Sequence, residues 1–186
     1  MLRYLVASFA LGVLLLGSAT AQQSAGKDSF DVQSSIGDLH MGKDADARKA
    51  GLPLYPGARP KHEDDNDPLN LGVLTETFGF KLVIAEYESG DAPDKIIAYY
   101  RDKLKKYGKV LECHTKEHGG DAHAGMNDEK HSKELKCEGD NSGPVTELKV
   151  GTDDNQHVVA IEPSQAGAGS TFALVYVHTQ GRQAEI

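Results

Sequence analysis

From Thr77 to Glu88 apolar side chains stand at both parities, with Phe78, Phe80, Leu82 and Ile84 on one and Val83, Ala85 and Tyr87 on the other. A strand that is apolar on both faces is predicted to run inside a sheet rather than along its border. The period then changes. Ile96, Ile97, Tyr100, Leu104 and Tyr107 recur at helical spacing, Pro93 and Asp94 suit a first turn, and Asp91 is the expected N-cap. Gly108 is the expected stop, as a left-handed C-cap. The chain then enters Lys109 to Thr115, where Leu111 and Cys113 share a face, so the pattern predicts a strand, a helix at about 91–107 and a second strand.

Four further alternating runs follow, Lys133 to Glu138, Val145 to Gly151, Gln156 to Glu162 and Thr171 to His178. With turn residues at Thr152 to Asn155 and at Ser164 to Ser170, they predict a C-terminal β-meander. Upstream, Phe30, Val32, Ser34 and Ile36 alternate with polar neighbours up to Gly37, and a hairpin returning through Leu39 and Met41 is expected. Prolines and glycines between Gly51 and Ala58 impose an extended connector. The fold class is therefore α+β: an antiparallel or mixed sheet of about five to six strands with one amphipathic helix on one face. One helix leaves the second face, with Val158 and Ala160 or Ala173, Val175 and Val177, in need of cover. The N-terminal arm, Phe30 to Tyr55, is the expected cover, and a homodimer partner or a small apolar ligand the alternative.

The first residues carry a different pattern. Arg3 precedes an almost wholly apolar run from Leu5 to Leu16, and Ala19-Thr20-Ala21 supplies small residues for a signal peptidase. The organisation expected is a signal peptide at 1–21, an arm and connector at 22–60, one α+β domain at 61–180 and a tail at 181–186. No later run is apolar enough to span a bilayer, so no transmembrane segment is expected after cleavage. Export, to the periplasm or the medium, follows from that leader.

Charge narrows the partners. Acidic residues number 28 against 20 basic, a net of −8, and losing Arg3 with the signal takes the mature chain to −9. Nucleic acid is not an expected partner, because its phosphates attract basic surfaces. The acidic run His62 to Asp67 lacks the ligand spacing and central glycine of an EF-hand loop and reads as a solvated loop.

Cys113 and Cys137 are the only two cysteines, and in an oxidising compartment they are predicted to form a disulfide. Closing a loop of about 25 residues is worth roughly 3 kcal/mol. Between them lies the most suggestive chemistry of the chain. His114, His118, His123 and His131 crowd one polar segment, and imidazoles at high mutual concentration bind zinc or copper. Their spacing matches no H-E-x-x-H helix, since Gly119 and Gly120 interrupt it. His157 and His178 fall on strand faces and are expected to be buried, hydrogen-bonded histidines near strand ends. Ser170 lacks the G-x-S-x-G context of a nucleophile elbow, and no phosphate-binding or dinucleotide fingerprint occurs.

The segments Gly51-Leu52-Pro53-Leu54-Tyr55-Pro56-Gly57-Ala58 and Asp94 to Leu104 resemble those of uncharacterised exported bacterial proteins. In that family a Tyr-Pro-Gly-Ala turn precedes a strand and a helix of the form Tyr-Tyr-Arg-Asp-x-Leu. The resemblance covers about half of the mature chain. It implies an exported protein of unknown function and carries over no catalytic or binding residue. The function expected is a non-enzymatic binding or interaction module of the cell envelope, with a zinc or copper protein using the histidine segment as alternative. A hydrolase without a recognisable motif is the third reading.

Overall fold

The computed structural model describes residues 22–26 (backbone only), 29–61, 68–75, 77–116, 134–137, 139–165 and 167–181. In chain order the elements are β1 (Gln22–Gly26), β2 (Ser29–Ser34), β3 (Gly37–Gly42), β4 (Arg59–Pro60), β5 (Leu69–Thr75), β6 (Phe78–Ser89) and α1 (Pro93–Leu104). A 3-10 turn at Lys105–Tyr107 follows, then β7 (Leu111–Thr115), β8 (Val145–Thr152), β9 (Asn155–Pro163) and β10 (Ser170–Gly181). Sheet dominates. The described strands form one ten-stranded sheet in the order β1-β2-β3-β5-β6-β10-β9-β8-β7, with the short β4 on the end of β6.

The strand count exceeds the expected five to six because the N-terminal hairpin joins the same sheet and because β1, β4 and β5, which were not expected, add to it. β2 and β3 pair with Val32 opposite Leu39, and β3 continues onto β5 with Leu39 opposite Val73. β6 is interior, held by β5 on one side and by β10 along twelve residue pairs, Phe78 to Ser89, on the other. The expected meander is present as β8, β9 and β10. Every neighbouring pair is antiparallel, so four reversals separate β6 from β7 and leave these two parallel. Helix α1 is the crossover that such a parallel relation requires.

Three local expectations are corrected. Residues 134–137 are irregular rather than a strand, because β7 pairs with β8 and its outer edge is met instead by the Asn141 side chain, whose Oδ1 accepts from the His114 backbone N–H at 2.8 Å. Asp91 does not cap the helix; Ala92 stands at the N-cap without a side-chain bond. The Asp91 carboxylate is spent on Lys95 Nζ at 2.6 Å and on the Tyr55 hydroxyl at 2.9 Å. Gly108 does have positive φ, 139°, but with ψ at −158° it lies outside the left-handed helical region, the helix having already tightened into the 3-10 turn. The predicted disulfide is present, with Cys113 and Cys137 Cα atoms 5.4 Å apart.

The helical stripe lands as its spacing requires. Ile96, Tyr100 and Leu104 are fully buried, and the helix packs on β8 and β9. The connector lies beside it on the same face, where Ala47, Ala50, Leu52 and Tyr55 share one core with Val83, Tyr87, Leu148, Val159, Phe172 and Leu174. The arm therefore does not cover the second face, contrary to expectation. Its strands widen the sheet and its connector thickens the helical layer. On the second face Val158, Ala160, Ala173 and Val177 are nevertheless buried, at 5% or less, whereas Phe30, Met41 and Phe78 are exposed, at 37%, 49% and 41%.

One hydroxyl ties connector to helix. Tyr100 donates to the Pro53 carbonyl at 3.2 Å and accepts from the Tyr55 backbone N–H at 3.1 Å, inside the core. A buried N–H stripped of its acceptor costs about 1–3 kcal/mol. Tyr100→Phe is therefore expected to lower the urea-unfolding free energy by about that amount. Tyr99→Phe, whose hydroxyl meets the Leu54 carbonyl at an exposed site, is the control and should shift it by no more than about 0.5 kcal/mol.

Candidate functional site

Beyond the connector the helical face of the sheet is bare, and the register decides what stands there. Asp31, His40, Gly72, Lys81 and His178 form one row across β2, β3, β5, β6 and β10. Asp38, Leu74, Gly79 and Gln180 form the next. Of the two glycines, Gly72 is the gap in this lawn of side chains. A Cβ added at Gly72 would meet only the His40 Cβ, at 3.7 Å, and the space over Gly79 is taken by the Gln180 side chain, 2.6 Å from where a Cβ would sit. An open cleft of about 730 Å³ results, within the size range of small-molecule sites.

The wall on the β3 side is rigid. His40 Nδ1 lies 2.6 Å from Asp31 Oδ1, and Asn70 Nδ2 lies 3.0 Å from His40 Nε2 and 3.1 Å from Asp44 Oδ1. The orientation of Asn70 follows from charge: its NH2 group must face the Asp44 carboxylate. It also faces His40 Nε2, which lies 3.6 Å from the same Asp44 oxygen, while the Nδ1 side of the ring donates to Asp31. Lys49 completes the network by pairing with Asp44. Its ammonium, helped by Asn70 and opposed by burial, holds the Asp44 carboxyl down at about 2. An Asp-His pair is the beginning of a catalytic dyad, yet the nitrogen that would act as base is already occupied.

The opposite wall differs. Lys81 lies over the Tyr176 ring, 5.5 Å from its centroid, and His178 stacks parallel to the same ring. His178 Nδ1 is shielded from solvent and bonded to nothing, whereas a bonded, buried ring had been expected. An orphaned acceptor costs less than an orphaned donor, so the proton belongs on Nε2, leaving that N–H as the donor the ring can present.

A second hollow of about 490 Å³ lies where β9 meets the connector. There His157 is sandwiched between Tyr107 and Tyr176, with ring centroids 3.9 and 4.7 Å away, and its Nδ1–H donates to the Ala50 carbonyl at 2.9 Å. Tyr107 and Lys106 both bind the Gly51 carbonyl, so this ring stack clamps the connector to the sheet. His157 is thus the buried, bonded histidine its strand position suggested, and its surroundings account for it structurally.

On the far face, Lys149 Nζ sits 3.0 Å from Glu147 Oε2, both side chains almost fully buried, although the approach is off the hydrogen-bonding direction. Thr115 Oγ1 reaches the other carboxylate oxygen at 3.4 Å. This pair opposes two charges to each other in a closed place and offers no approach to a reactant.

Of the histidines singled out for metal binding, His114 sits half-buried on β7, and His118, His123 and His131 lie outside the described residues. The acidic run 62–67 lies outside them too. Among the described residues, no group of three or more His, Cys, Asp or Glu side chains is placed to hold a metal ion. The cleft residues Asp31, Asp38, His40, Asn70 and Lys81 were not picked out in the sequence. A signal existed: in the N-terminal hairpin Phe30, Val32, Leu39 and Met41 take one parity, which puts Asp31, Asp38 and His40 together on the other. No family model, curated protein or solved structure matches the chain.

The His157 clamp makes stability depend on pH. Burial holds the imidazole below its ordinary value, the nearby Lys106 ammonium adds to this, and the Ala50 carbonyl works against it. The unfolded chain consequently binds this proton more readily than the folded one, so stability is full above the unfolded value of about 6.5 and is lost as pH falls below it. Thermal melts from pH 8 to 5 should show a falling Tm, with a smaller fall in His157→Phe. An identical slope in that variant would assign the effect elsewhere.

Proposed function

We propose that the protein is a non-enzymatic binding module of the bacterial envelope that holds a small polar solute in the cleft between β3 and β10. The observation that carries this reading is the glycine gap at Gly72, a strand position where a Cβ would meet only ordinary contact and a larger side chain would project into the cleft. Strand interiors favour β-branched and aromatic residues over glycine, so the vacancy is costly to the sheet and needs a use. Binding is favoured over catalysis because His40 is engaged at both ring nitrogens.

Export is part of the same reading. It rests on the leader-like first 21 residues and on the family resemblance. The Cys113–Cys137 disulfide is compatible with an oxidising compartment. No helix among the described residues is long and apolar enough to cross a membrane.

Native mass spectrometry tests the binding reading. The protein with residues 1–21 removed, incubated with a deproteinised bacterial extract, should acquire discrete increments of less than about 500 Da, in keeping with the cavity size. Gly72→Phe should lose them while keeping the circular dichroism spectrum. Equal uptake by both proteins, or none by the unmodified one, would refute the cleft as a binding site.

A further inference from the structure

Resting on that solute-binding reading, we infer that the cleft selects zwitterions of free amino-acid type, taking the ammonium at Asp38 and the carboxylate at Lys81. The charges already spoken for can be set aside first. Asp31 is bonded to His40, and Asp44 to Lys49 and Asn70. Two charges of opposite sign that form no ion pair with any described residue line the cleft, Asp38 and Lys81, the latter resting over the Tyr176 ring.

Their placement explains why they do not neutralise each other. Asp38 is opposite Leu74, which is opposite Gly79, and Lys81 stands two residues further along β6. Two strand spacings across and two residues along put their Cα atoms about 12 Å apart. Between them the floor is Gly72, without a side chain. Both side chains are exposed and keep their charges in water, so a solute carrying a single charge can pair with only one of them. A molecule bearing both charges satisfies both.

The neighbours suit the same ligand. His178, with its proton on Nε2, stands beside Lys81 in register and adds a second donor for a carboxylate. Exposed Leu74, the cross-strand neighbour of Asp38, and Gln180, whose side chain lies over Gly79, give a solute side chain one apolar and one polar surface to lie on.

Isothermal titration calorimetry of the protein with residues 1–21 removed, against free amino acids and against their N-acetyl and carboxamide derivatives, decides the matter. At least one free amino acid is expected to bind, with both of its derivatives at least about tenfold weaker. In Lys81→Met the free acid and its carboxamide should bind alike, and in Asp38→Asn the free acid and its N-acetyl form should. Derivatives that bind as tightly as the parent overturn the inference, as does the absence of binding by any free amino acid. If Gly72→Phe still abolishes uptake of some other solute from the extract, only the zwitterion assignment falls; if nothing enters the cleft in either experiment, the binding reading falls with it.

Discussion

The controlling constraint is a mismatch of widths. Nine strands side by side at about 4.8 Å span close to 40 Å, whereas a helix is only about 10–12 Å across and covers two or three of them. Helix α1 sits over β8 and β9, and the connector from Ala47 to Tyr55 is laid over β6 and β10. Cover stops there. From β5 to β2 the same sheet face is left to its own side chains, and apart from Leu74 and Gly72 these are polar, among them Asp31, Asp38, His40 and Asn70. The cleft is therefore a product of architecture, opening where the second layer runs out.

That second layer is held by tyrosines more than by secondary structure. Between Lys43 and Ala58 the connector has no helix or strand, yet its backbone groups reach the Tyr87 and Tyr100 hydroxyls, and Tyr55 packs edge-on against Tyr99 and Phe172. Burial pushes the Tyr100 hydroxyl well above its ordinary range, which keeps it neutral and able both to donate and to accept. Tyrosine is suited to this work because it brings a large apolar ring and a polar tip to one place. The Tyr107, His157 and Tyr176 stack repeats the arrangement at the other end of the connector, where it holds Ala50 and Gly51.

Legibility in the sequence followed the strength of local pattern. The helix, the interior strand β6, the hairpin of β2 and β3, and the meander of β8 to β10 are all periodic over enough residues to be seen, and the cysteines were paired by compartment and count. The alternation at Lys133 to Glu138 misled because six residues of alternating polarity do not identify a strand when a tethering disulfide and an Asn141 side chain already serve the neighbouring edge. The cleft was illegible for another reason. Gly72 and Asn70 are informative only once β5 is known to lie between β3 and β6, and strand order is a non-local property that periodicity does not encode. Histidine density drew attention to 114–131, while the histidines with built environments, His40 and His157, stand alone in sequence.

The two ends of the sheet are managed differently, and this bears on what the surface is free to do. An exposed edge strand invites pairing with any other extended chain. At β7 the invitation is withdrawn: the His114 N–H is capped by Asn141, and Cys137 is bonded across to Cys113 beside the Glu112 carbonyl. At β1 the edge is short and its sequence, QQSAG, is polar and small, so backbone pairing there would gain little from side chains. The proposed ligand site accordingly draws on side chains at the face of the sheet rather than on its border. On the helical side those groups are held by the Asp31, His40, Asn70 and Asp44 chain of hydrogen bonds, so the wall of the cleft is set before anything enters it.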